Sequence, residues 1–178
     1  GSLAPHEVRI PGILVDAVVE HPRQYQTPAS RFDASLVSTG SLPADDTTGQ
    51  PLDAAKIVQR RALLECSPGQ RVAIGFGLAA RLPGVALEEG VLDDLTFTIE
   101  HGVIGGVNPC ARGGRTFPAA HHPSAIIDAA DQLRSYAGGG VDQAFLGVGQ
   151  VDGAGNVNVS RFGDRFSGAG GFIDITQG

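Results

Sequence analysis

Glu100 closes a run that reads as a strand, because positions 95–99 alternate and are rich in β-branched and aromatic side chains. Three glycines follow within residues 102–106. Glycine adopts positive φ and permits close backbone approach, so the run is suited to placing a substrate against the carboxylate. In open α/β sheets ligands bind outside the carboxyl ends of the strands, where this residue would stand. The same spacing also fits a charged residue that merely begins a turn.

A second glycine turn, Gly75-Phe76-Gly77, follows the short apolar run Arg71 to Ile74 and precedes an alanine-rich stretch. Strand, glycine turn and helix together aim backbone N–H groups at an anion. A dinucleotide fingerprint would need glycine at the sixth place, which is Ala80, and a downstream acidic partner is missing. A tight strand–helix connection explains the turn equally well. Gly138-Gly139-Gly140 reads as a pocket segment or as a plain helix stop. His121 and His122 lack the i, i+4 spacing of a metal site and read as surface residues or residues behind the site. Asn156 and Asn158 read as turn residues. His101 is set aside, since neighbours on an extended segment face opposite sides.

These groups need elements to hold them. Residues 13–19 form an apolar, β-branched run expected to be a strand. Residues 21–50 carry Pro22, Pro28, Pro43, Gly40 and Gly49 without periodicity and read as a linker. Asp53 is a helix N-cap candidate, with Ala54, Ile57, Val58, Ala62 and Leu64 on one side and Pro68-Gly69 as the stop. A helix is expected to end near Gly90, a short strand to cover 125–128, a helix to cover 130–136 and a buried strand to cover 141–148. Asp152-Gly153-Ala154-Gly155 predicts a hairpin turn, and 172–175 a closing strand. Strands alternating with helices imply an α/β domain with an open, largely parallel sheet flanked by helices.

Composition narrows the function. The 178 residues suffice for one good core, and a hydrophobic fraction of 42% argues against disorder. A formal net charge of −6 without a basic cluster disfavours nucleic acid as partner. Arg112, Arg115, Arg161 and Arg165 remain available for the phosphates of a nucleotide-like ligand. Cys66 and Cys110 give neither a disulfide framework nor a zinc spacing, and no run is long enough to span a bilayer, so a cytoplasmic protein is expected.

The glutamate–glycine segment resembles the active-site segment of family I coenzyme A (CoA) transferases. So do Gly138-Gly139-Gly140-Val141-Asp142-Gln143-Ala144-Phe145-Leu146-Gly147, Val151-Asp152-Gly153-Ala154-Gly155-Asn156-Val157-Asn158-Val159-Ser160 and Gly168-Ala169-Gly170-Gly171-Phe172-Ile173-Asp174. Val8-Arg9-Ile10-Pro11-Gly12-Ile13-Leu14-Val15-Asp16 is similar to the end of the first half of single-chain acetate/3-ketoacid enzymes, and Leu52-Asp53 with 57–61 to the opening of their second half. One departure is Leu78, where the family usually has proline after its first glycine loop.

The resemblance implies a CoA transferase-like fold, in the fold group that also holds ribose-phosphate isomerases. Residues 1–20 would end the first half, 21–50 link, and 51–178 form a C-terminally incomplete catalytic-glutamate domain. It implies Glu100 as nucleophile of a ping-pong transfer of CoA from a short-chain acyl-CoA to a carboxylic acid. Gly170 and Gly171 would donate to the oxyanion, and Gly75, Gly77, Gly102, Gly105, Gly138, Gly139 and Gly140 would line the CoA and substrate site. No metal and no permanently bound cofactor is expected, CoA being a substrate. The implied partners are the remainder of the enzyme and further copies in a homo-oligomer. An acyl-CoA hydrolase and an inactive folded fragment are the alternatives.

Overall fold

The computed structural model describes residues 4–8, 10–23, 32–40, 49, 51–108 and 118–177. Arg9, Pro28, Pro43, Pro109, Cys110, Arg112 and Arg115 lie outside the described residues. In chain order the principal elements are α1 (Ala54–Leu63), β1 (Arg71–Ile74), α2 (Leu82–Glu88), β2 (Thr96–Ile99), β3 (Val103–Ile104), β4 (Ala125–Ile126), α3 (Ala129–Ala137) and β5 (Gln143–Phe145). Two small hairpins follow, β6 (Gln150–Val151) with β7 (Val157–Asn158) and β8 (Arg161–Phe162) with β9 (Arg165–Phe166), and then α4 (Phe172–Ile175).

The sheet has the order β4-β3-β2-β1-β5. Its centre is parallel, with β1 between β2 and β5, while β3 and β4 add antiparallel. The expectation of a largely parallel open sheet thus holds for the strands that carry the site, and the whole is mixed.

Alternation along the strands builds three layers. Val72, Ile74, Phe97 and Ile99 face α1 and α2 and pack with Leu63, Leu82, Val85 and Ala86. Each such side chain, fully buried, contributes roughly 1.5–3 kcal/mol. Ala73 faces the other way, onto Tyr136 of α3 and Ile175 of α4. Thr98 shares that face, its Oγ1 lying 2.7 Å from the buried Tyr136 hydroxyl. Burial pushes the Tyr136 pKa up, so the hydroxyl keeps its proton. Glu100 continues the Thr98 side of β2, toward α3 and α4.

Several elements match the sequence reading. Asp53 caps α1 by accepting from the Lys56 amide at 2.8 Å. The 150–158 hairpin forms around Asp152, whose Oδ1 accepts from Ala154 and Asn156 amides at 2.9 Å. Others do not. Residues 13–19 form no strand: Gly12–Leu14 is a 3₁₀ turn, and Ile13 is 93% exposed and Val19 86% exposed. On α1 the buried residues are Lys56, Gln59 and Leu63, while Ile57, Val58 and Leu64 are exposed. Two polar tethers turn the helix this way. Lys56 pairs with Glu88, and Gln59 Nε2 donates to the Leu78 carbonyl at 3.0 Å. The expected strand over 141–148 shortens to β5 and is only part-buried, because it forms the sheet edge. The expected closing strand at Phe172–Ile175 is a helical turn, closed by Ile175 N–H to the Gly171 carbonyl at 3.0 Å. Burying Ile175 against Tyr136 decides it over β-propensity.

Within 21–50, residues 32–40 hold to the body rather than running free. Leu36 is buried, Ser35 Oγ lies 2.5 Å from His121 Nδ1, and the His122 amide donates to the Ser35 carbonyl at 2.7 Å. Ser35 also donates to Asp33, which holds that carboxyl below its usual pKa. His121 and His122 therefore anchor this segment, with His122 at φ 52.

Candidate active site

Glu100 leaves β2 at the carboxyl edge of the sheet. Ile74 pairs with Ile99 in parallel register, so Gly75 leaves the neighbouring strand at the same level. Gly75 packs on Leu146 at the end of β5, where an added Cβ would meet Leu146 Cδ2 at 3.2 Å. A cavity of about 560 Å³ opens at this edge between Phe76, Gly77, Leu78, Leu146, Gly147 and the Gln59 side of α1. Glu100 does not line it.

Gly171 stands against the carboxylate. A Cβ at Gly171 would overlap Glu100 Oε2 and stand 2.9 Å from its Cδ. Glycine leaves the carboxylate this position, which a larger residue would make it vacate. Gly171 begins α4 at φ −71 and ψ −4, and Gly170 before it holds φ +56. Glu100 and the Gly168–Gly171 segment, which the sequence singled out separately, thus meet, residue 171 against residue 100.

His101 comes nearer than alternation allows. Residues 100–102 turn between β2 and β3, so the extended-strand argument fails, and His101 Nδ1 lies 3.9 Å from Glu100 Oε1. Its side chain is half exposed, against 27% for Glu100.

The glycines after Glu100 serve a different closeness from the one expected. Gly102 (φ +99) has the Ile127 carbonyl where its Cβ would stand, and Gly105 (φ +69) has Ser124 Oγ at 2.5 Å. What approaches is the chain's own β4 segment, pressed against the turn that aims the carboxylate. Gly102→Ala is therefore expected to destabilise the fold by about 2–4 kcal/mol, combining left-handed strain with overpacking. Thermal unfolding should show a melting point lower by about 5–15 °C. A shift under about 2 °C would show that the turn does not depend on this packing.

Gly138, Gly139 and Gly140 are not at this edge. The Gly139 amide donates to the Tyr136 carbonyl at 2.9 Å and the Gly140 amide to the Ser135 carbonyl at 2.7 Å, with Gly139 at φ +79. That is a Schellman stop for α3. The segment then leads to Asp142, whose amide donates to the Arg71 carbonyl at the amino end of β1. The Arg71 guanidinium beside Asp142 holds its carboxyl at about 2. The segment thus leads to the amino end of β1, the opposite end of the strands from Glu100, and the helix stop accounts for the three glycines.

Among the described residues no group of three His, Cys, Asp or Glu side chains could hold a metal ion. No helix of the described residues is long and apolar enough to cross a membrane. Burial raises the pKa of the Cys66 thiol.

The arrangement has counterparts among known proteins. No protein-family model matches the chain. The crystal structure of the acyl-CoA transferase YdiF apoenzyme from Escherichia coli O157:H7 superposes with a TM-score of 0.73 at 41% identity, over 98% of this chain and 31% of that one. The fold is that of CoA transferases. A YdiF thioester complex with CoA gives the same TM-score at 38% identity, covering 98% of this chain and 31% of that one. Glutaconate CoA-transferase from Acidaminococcus fermentans gives 0.52 at 26% identity, covering 71% of this chain and 54% of that one. In sequence, the acetate CoA-transferase YdiF of E. coli K12 is 41% identical over 98% of this chain, and the caffeate CoA-transferase of Acetobacterium woodii 36% over 99%. The chain spans about a third of the length of these curated relatives, 33% and 34% respectively.

Proposed function

We propose that this chain supplies the catalytic-glutamate part of a CoA transferase of the single-chain acetate/3-ketoacid type, with Glu100 as nucleophile. The observation that carries the reading is the contact between the Glu100 carboxylate and Gly171. The relatives named CoA transferases, one of them in a thioester complex with CoA, support the reaction class.

Glu100 attacks the acyl-CoA carbonyl, the C–S bond breaks, and an acyl–glutamyl anhydride forms with release of CoA thiolate. The thiolate then attacks the glutamyl carbonyl and expels the first carboxylate, leaving a Glu100–CoA thioester. A second carboxylate reverses both steps, so the kinetics are ping-pong. Each addition passes through an oxyanion, and a single preorganised donor contributes about 3–4 kcal/mol in comparable sites. The amides of Gly170 and Gly171 are the donors proposed, with Gly75 and Gly77 on the adjoining wall. Short-chain acids are the proposed substrates. The rest of the polypeptide completes the site in a homo-oligomer.

The test is peptide mass spectrometry on the full polypeptide after incubation with acetyl-CoA, with borohydride reducing any thioester before digestion. A modified peptide containing Glu100 is expected. Modification elsewhere, or none, would sink the covalent reading.

A further inference from the structure

The two oxygens of the Glu100 carboxylate stand in different surroundings. Oε2 lies against the Gly171 backbone, in the space that a side chain there would take. Oε1 faces the His101 imidazole, with Nδ1 at 3.9 Å. A tight turn makes this pairing. The Gly102 amide donates to the Ile99 carbonyl at 2.9 Å, so Glu100 and His101 are the two middle residues of the turn and no longer alternate as on a strand. The Ile127 carbonyl, packed where a Cβ on Gly102 would stand, holds that turn in place. His101 is the more exposed of the two side chains, so its imidazole borders the approach to the carboxylate from solvent.

On the buried side the nearby hydroxyl is engaged elsewhere. Tyr136 is bonded to Thr98 Oγ1, two residues back along β2 from Glu100. Burial, and to a lesser degree the Glu100 charge, raise the Tyr136 pKa, so the hydroxyl keeps its proton in that bond. His101 is thus the polar side chain that stands at the open oxygen.

In the proposed scheme the oxygen beside Gly171 remains the glutamyl carbonyl, and the other one reacts. Oε1 bonds to the acyl carbon, the acyl C–S bond breaks, and its electron pair leaves on the CoA thiolate. The thiolate then bonds to Glu100 Cδ and the Cδ–Oε1 bond breaks. Oε1 departs with that electron pair as one oxygen of the first carboxylate. The second acid brings its own oxygen to the same place, and no proton moves in either exchange. The Oε1 position is therefore where one carboxylate leaves and the next enters, each with its negative charge. An imidazole carrying its proton on Nδ1 is a donor, and hydrogen bonds to ionised acceptors are the strong ones. At 3.9 Å the nitrogen is beyond direct reach of the oxygen while that oxygen belongs to Glu100. A carboxylate that has left Cδ is free to close the gap.

We infer that His101 is a further catalytic residue, donating from Nδ1 to the carboxylate that leaves Glu100 and to the acid that replaces it. The inference rests on the proposed transferase reading. The test loads the full polypeptide with acetyl-CoA, removes the excess, and discharges the Glu100–CoA thioester with acetate or with hydroxylamine. Hydroxylamine is an uncharged nucleophile that leaves a glutamyl hydroxamate and free CoA. In His101→Leu and in His101→Ala the acetate rate is expected to fall roughly tenfold relative to the hydroxylamine rate, the scale of one hydrogen bond to a charged group. His101→Asn, whose amide nitrogen takes the place of Nδ1, should keep the ratio within about threefold of the unsubstituted protein. A ratio unchanged in Leu and Ala variants that load would overturn the assignment, and equal falls in both rates would mean that the side chain serves the turn alone. A ratio lowered as far by Asn as by Leu would overturn it too, since acetate would then not be meeting the Nδ1 N–H. No thioester in the unsubstituted protein would sink the transferase reading itself, and this inference with it.

Discussion

Glu100→Gln is expected to abolish CoA exchange, with kcat falling about 10⁴-fold or more, while the protein folds and binds acyl-CoA as before. The substitution changes one oxygen to an amide nitrogen and keeps the volume. The side chain is partly exposed and makes no ladder hydrogen bond, so stability should move by about 0.5 kcal/mol at most. The amide has no carboxylate to form the anhydride, and the neighbouring His101 cannot replace it, because an imidazole 3.9 Å away supplies no acyl-stable bond in this scheme. The measurement is exchange between acetyl-CoA and a second labelled carboxylate, alongside the borohydride trap. Retained exchange at a near wild-type rate would remove Glu100 from the chemistry. Lost exchange with unchanged thermal unfolding would assign the loss to the reacting group itself.

What the sequence made legible follows from how local the signals are. The β2 strand, the Asp53 cap, the glycine stop of α3 and the 150–158 hairpin depend on a few adjacent residues, and all formed where expected. Glu100 at a strand end was legible for the same reason. The failures needed information from far along the chain. The face of α1 that is buried was set by Glu88 and the Leu78 carbonyl, so its apolar stripe misled. Phe172–Ile175 carries β-branched residues, but Tyr136 offers Ile175 a buried place that a helical turn reaches. Residues 13–19 had the composition of a strand, yet among the described residues no strand pairs with them. The β8–β9 hairpin had a usable signal, Gly163-Asp164 between Arg161-Phe162 and Arg165-Phe166, which reads as a two-residue turn. The approach of His101 to Glu100 had none, since it depends on where the strand ends.

Gly171→Ala is expected to lower kcat about 100-fold with the fold intact, which separates the site's geometry from its stability. The backbone at Gly171 is right-handed helical, a conformation alanine adopts freely, and the change would on that count stabilise by about 0.4–1 kcal/mol. The amide N–H survives, so a proposed oxyanion donor is not deleted. The new methyl collides instead with the Glu100 carboxylate, and with Ile175 Cδ1 at 3.1 Å. The carboxylate is the freer of the two, held by one flexible side chain at the surface, whereas Ile175 is packed on Tyr136. It is therefore the nucleophile that moves, by an ångström or so, and misplacement on that scale costs about 10²-fold. Steady-state exchange kinetics and a thermal melt on the same sample decide the matter. A wild-type kcat would mean that Glu100 reacts from a position other than against Gly171. A melting point lowered by about 10 °C or more would mean that Ile175 yields first and that the glycine serves the packing of α4.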